Sequence, residues 1–115
     1  MGQDRLEKLI WSTSLRTGNI KEKFMYYKNT VYINFETDEK IGSYFETDIH
    51  ADSVVVLLEK YYQVKIVPEE TLIIFDEIQM CERALTSLKY FAEEAPEYHV
   101  MAAGSLLGVA VNREK

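Results

Sequence analysis

The stretch Thr71-Leu72-Ile73-Ile74-Phe75-Asp76-Glu77-Ile78-Gln79 constrains this chain more than any other. Leu72 to Phe75 are all large and apolar, and the run ends abruptly on two adjacent carboxylates. A continuous apolar run of that length fits a strand buried on both faces, as in a parallel sheet covered by helices. In open α/β sheets the ligand crevice lies beyond the carboxyl ends of such strands. Asp76 and Glu77 are therefore expected at the rim where chemistry occurs. An apolar run followed by Asp-Glu is a weak pattern on its own, because an acidic pair after a strand often just opens a solvated loop.

Two further strands are predicted around it. Val31-Tyr32-Ile33-Asn34-Phe35 is rich in β-branched and aromatic residues. Val100-Met101-Ala102-Ala103 is a short buried run closed by Gly104-Ser105. Between the strands lie helical stripes. Thr37 can cap a helix with Asp38 and Glu39 at its positive end and Ile41, Tyr44 and Phe45 on its apolar face. A second helix is expected over 52–62, burying Val54, Leu57, Leu58 and Tyr61, although Val54-Val55-Val56 also fits a strand. The clearest helix covers 82–94, with Ala84, Leu85, Leu88, Phe91 and Ala92 on one face and Pro96 beyond its end. Residues 106–111 read as the start of another. Alternating strands and helices imply an α/β fold with parallel strands and right-handed crossovers. Near the amino terminus a short, weak helix is expected over 3–15 and another over 20–28, where Asn19 and Glu22 have capping-box spacing.

The chain has 115 residues, enough for one small domain, and its 47% hydrophobic content supports a core. Its net charge of −6, with no Lys/Arg cluster, excludes a binder of nucleic-acid backbones. No apolar run approaches the ~20 residues of a membrane span, and no signal-peptide pattern opens the chain. With one cysteine, Cys81, the expectation is a cytoplasmic protein. Cys81, His50 and His99 lack zinc-ligand spacing. Tyr26-Tyr27 and Tyr61-Tyr62 are read as core edge rather than as a base-stacking platform.

The string TLIIFDEIQ (71–79), continued by RALTSLKYFAEEAPEYHVMAAGSLLGVAVNREK (83–115), is more specific. It resembles the AAA-type ATP-binding proteins of bacteria and archaea that carry an uncharacterised C-terminal domain after the ATPase core. The likeness runs from about Thr30 to Lys115, whereas residues 1–28 match poorly. This divides the chain into an atypical helical segment (1–28) and a partial AAA-type core (29–115) with a P-loop NTPase-like three-layer fold. The resemblance implies MgATP as cofactor. It makes Asp76 the Walker B carboxylate on the metal side and Glu77 the general base that polarises the attacking water. Adjacent strand residues point to opposite sides, which would divide the two roles. Ser105 resembles the sensor residue near the γ-phosphate; it also fits a turn that caps the next helix. Gln79 belongs to the string without an evident role.

A phosphate cradle needs G-x-x-x-x-G-K-[ST] between a first strand and its helix. The glycines here are Gly2, Gly18, Gly42, Gly104 and Gly108, and none begins that pattern. The family's loop would fall at Leu15-Arg16-Thr17-Gly18-Asn19. The chain is therefore expected to be a remnant or excerpt of an ATPase module that hydrolyses no ATP alone, and MgATP binding is expected to be weak or absent. The alternative is a nucleotide-independent interaction domain. The resemblance puts the 71–75 strand in the middle of three parallel strands and leaves the 98–103 strand with an apolar edge. That edge invites cover by the amino-terminal segment, by a partner or by a second copy.

Overall fold

A strand that is apolar throughout needs neighbours on both edges and cover on both faces, and the fold is built around that need. The computed structural model describes residues 10–12 and 26–104. In chain order the elements are β1 (Ile10–Ser12), β2 (Asn29–Asn34), α1 (Glu39–Tyr44), α2 (Ala51–Tyr62), β3 (Thr71–Asp76), a 3-10 turn (Ile78–Met80), α3 (Glu82–Glu94) and β4 (His99–Ala103). They form one sheet of order β1-β4-β3-β2. β3 pairs in parallel with β2 on one side and with β4 on the other. The expected α/β architecture with the 71–75 strand central is what the chain adopts.

The two faces of the sheet differ. Val31, Ile33, Phe35, Ile73, Phe75, Val100 and Ala102 share one core with residues of the helices, among them Ile41, Val54, Leu58, Ala84 and Phe91. At its centre Phe35, Phe45 and Phe75 meet edge to face, with ring centroids 5.4 to 5.8 Å apart. Such contacts add to the burial term of each ring. The alternate residues face the other way. There Leu72 and Met101 are buried with Tyr27, whose hydroxyl lies 2.6 Å from His99 Nδ1. No helix among the described residues is long and apolar enough to cross a membrane.

Several expectations need correction. The helix expected over 3–15 gives way at Ile10–Ser12 to a strand, antiparallel to β4, with Ile10 opposite Ala103 and Ser12 opposite Met101. A row of unsatisfied N–H and C=O groups on β4 outweighs a weak helical stripe that already contains Ser12, Thr13 and Ser14. The edge of β4 is thus covered by the chain itself. Asp38, not Thr37, is the N-cap of α1, accepting from Ile41 N–H at 3.2 Å. Thr37 instead donates its N–H to Asn34 Oδ1. Val54-Val55-Val56 is helical, because Val54, Val55 and Leu58 form the buried stripe of α2. Ala92 is exposed. Of the helix expected over 20–28, Tyr26 is helical, whereas Tyr27 and Lys28 are bends that lead into β2. Residues 20–25, and the helix expected over 106–111, lie outside the described residues.

Candidate functional site

Parallel pairing aligns the strand ends. Asn34 of β2, Asp76 of β3 and Ala103 of β4 stand level at the carboxyl rim. Asp76 is the last residue of β3 and is only 3% exposed. Alternation places it with Leu72 and Ile74 on the sheet face away from the helices. A carboxylate buried so deeply needs donors, and the described residues supply two. The Tyr32 hydroxyl donates to Oδ2 from the neighbouring strand. The Glu77 N–H donates to Oδ1 at 2.8 Å. Asn34 Nδ2 in turn donates to the Tyr32 oxygen at 3.3 Å, while Asn34 Oδ1 accepts from the N–H groups of Glu36 and Thr37 and shapes the turn after β2.

Glu77 is not a strand residue. Its backbone is left-handed (φ 52°, ψ 46°), and it caps the Ile78–Met80 turn. Its side chain therefore parts from that of Asp76 through the left-handed turn, not through strand alternation. A non-glycine residue there costs about 1–2 kcal/mol, a kind of strain that gathers at functional sites. Gln79 has a structural part after all. Its Nε2 donates to Glu77 Oε1 at 2.8 Å, and its Oε1 lies where a β-carbon on residue 104 would sit, 2.2 Å away. Gly104 thus lets the Gln79 amide bridge the end of β4 and the Glu77 carboxylate. Ser105 lies outside the described residues.

Tyr32, Asn34 and Gly104 are the participants that sequence reasoning missed. The signal for the first two was their period-2 spacing in β2, on the exposed side of the strand.

A cleft of about 740 Å³ opens elsewhere, between α1 and the start of α3, and neither Asp76 nor Glu77 lines it. Glu36, Glu39, Glu46 and Glu82 line it, which disfavours anionic ligands. Arg83, the cation among its described lining residues, is committed to the carbonyls of Phe45 and Thr47 at 2.9 and 2.6 Å. Cys81 also lines it, and burial pushes its thiol pKa up, away from nucleophilic use. His50 sits at the N-cap position of α2 without capping it, and binds Glu94 Oε2 at 2.7 Å instead. His99 is held by Tyr27. Tyr61 and Tyr62 both bond Asp38 at the core edge, as expected, whereas Tyr26 is 70% exposed.

Among the described residues no cluster of three His, Cys, Asp or Glu side chains offers a metal cage. Magnesium in nucleotide sites seldom has one; a single carboxylate plus water and phosphate oxygens suffices. Asp76 and Glu77 bring two carboxylates to the end of the central strand, oxygen donors of the kind that would hold a magnesium largely through nucleotide.

Comparison with known protein families matches residues 12–114 to the family described as AAA domain. No curated protein and no solved structure gives a significant match.

Proposed function

The chain belongs to the AAA domain family, which covers residues 12–114, and from that premise we propose an ATPase-derived module that keeps the Walker B half of a nucleotide site without its phosphate cradle. The position of Asp76, buried at the carboxyl end of the central strand, carries this reading. Asp76 is the metal-side carboxylate. Glu77, oriented by the Gln79 amide, is the base toward an attacking water. Ser105, two residues beyond β4, is the sensor-like group. Magnesium, when bound with ATP, would neutralise charge developing on the phosphates.

Two observations argue against hydrolysis by this 115-residue chain. The G-x-x-x-x-G-K-[ST] pattern is absent from it. In addition, β1 is antiparallel, so the chain leaves Ser12 beside Met101, toward the rim opposite Asp76. A strand that delivers backbone amides to a phosphate must end at the same rim as the carboxylate and enter a helix there. Losing one preorganised donor commonly costs ~10²–10³ in rate, and here a whole set is missing.

The expected result is no ATP hydrolysis above background and no amide NMR shifts at millimolar MgATP. Hydrolysis that Glu77→Gln abolishes would overturn it. The second reading, a nucleotide-independent interaction domain, draws on the same reversed strand: with β4 covered, β1 and β2 are the edge strands among the described residues, where a partner or a second copy would pair. Under that reading Asp76→Asn leaves partner binding intact. A single cysteine and the lack of a membrane-spanning helix among the described residues support a cytoplasmic location.

A further inference from the structure

We propose that the cleft between α1 and the start of α3 is a docking groove for a basic segment of a partner protein, one that presents Lys or Arg beside apolar residues, and that Gly42 keeps the groove open. This surface stands apart from the strand-end rim, since neither Asp76 nor Glu77 lines it. On the α1 side lie Glu39 and Gly42, three apart and so neighbours on one face of the helix. Glu82 lies on the α3 side. Phe35, nearly buried, and Met80, 57% exposed, supply apolar surface between them. Gly42 is interior to α1, where glycine weakens a helix relative to alanine. Its backbone is not left-handed, and a β-carbon would lie 4.0 Å from Phe35 Cδ1, an ordinary contact. Among the described residues neither backbone nor packing therefore requires glycine here. What the missing side chain leaves is open space over Phe35.

Charge complementarity chooses the occupant. Four carboxylates, of Glu36, Glu39, Glu46 and Glu82, line the cleft against one guanidinium, and Arg83 turns its N–H groups to the Phe45 and Thr47 carbonyls. Among the described residues none of these four carboxylates is in an ion pair. Lys and Arg lay an apolar stem on apolar surface and hold the charged head among acceptors, and Met80 is an adaptable surface for the apolar neighbour. The four glutamates are exposed, so the cleft is open. A free small ligand favours a site that buries most of its surface, whereas a side chain projected from a larger body brings its own cover. A second copy of this chain carries a net charge of −6 and is repelled.

The test follows the amide NMR signals of the full chain during titration with the peptide acetyl-Ala-Leu-Arg-Leu-Lys-Ala-amide. Saturable shifts are expected at Gly42, Ser43, Cys81 and Glu82. Glu39→Gln combined with Glu82→Gln should raise the midpoint roughly ten-fold, as two exposed charge pairs are lost. Gly42→Leu should fill the groove and abolish the saturable shifts, with a melting temperature unchanged or higher. No saturable shift at these amides overturns the proposal, as does equal binding of the same peptide with Glu at both charged positions. Undiminished binding to Gly42→Leu means attraction by charge without docking, and also overturns it. An unchanged midpoint in the double glutamine variant does so whatever Gly42→Leu does to folding. Equal binding of arginine amide alone would assign the cleft to a small cation. Shifts of the same amides with rising protein concentration, without peptide, would assign it to a second copy. Either result replaces the partner segment and overturns the proposal.

Discussion

Burying a carboxylate costs several kcal/mol unless donors meet it, and among the described residues Asp76 accepts from the next residue's own N–H and from Tyr32, 44 positions earlier. A second ionisable contact works through charge. Glu94 accepts from His50 at 2.7 Å, and this hydrogen bond raises the His50 pKa above its ordinary value of 6.5. A folded pKa above the unfolded one means that the stabilisation is fully present below pH 6.5 and is lost as pH rises through the folded value. Urea midpoints should fall between about pH 6 and pH 8, and His50→Gln should flatten that fall. A midpoint that rises over the same range would contradict the pairing. The place of the two carboxylates at the end of the central strand was legible in the sequence, because an apolar run ending in Asp-Glu is a local pattern. Tyr32, Asn34 and Gly104 were not, because their parts depend on strand register and on the left-handed turn at Glu77.

Among the elements, the three parallel strands and the helices between them follow from apolar run lengths and stripes, which are properties of short windows. Val54-Val55-Val56 shows where such windows are ambiguous: intrinsic preference allows a strand, and a stripe with Leu58 against the core makes it a helix. Cover of β4 by the amino-terminal segment was one of three expectations, but β1 itself was not legible as a strand. It has three residues, and its stabilisation comes from β4, some ninety positions away. Successive residues in a strand direct their N–H groups to opposite sides. Prolines at both Trp11 and Ser12 therefore remove at least one N–H that faces β4, and disfavour the strand outright. The expected outcome is an uncovered β4 edge and self-association that rises with concentration, measured as weight-average mass by light scattering against the unaltered chain. No change in mass would mean that β1 is not what keeps that edge occupied.

At the scale of the whole molecule, the sheet gathers three strand ends at one rim and sends β1 the other way. Parallel strands bring Asn34, Asp76 and Ala103 to one rim; β1 leaves toward the opposite rim. A net charge of −6 adds a long-range penalty for a triphosphate. These effects act on binding, so they can be weighed without any chemistry taking place. A ligand present at a concentration equal to its Kd stabilises the folded state by RT ln 2, about 0.4 kcal/mol. For a domain of about this size that is a rise in Tm of roughly 2 °C. At millimolar MgATP the melting temperature should move by less than that, and Asp76→Asn should leave even a small shift unchanged. A larger rise that Asp76→Asn removes would mean that phosphate is being gripped by groups other than a Gly-rich loop. The argument from the reversed strand would then fail, while the place of Asp76 at the carboxyl rim would stand.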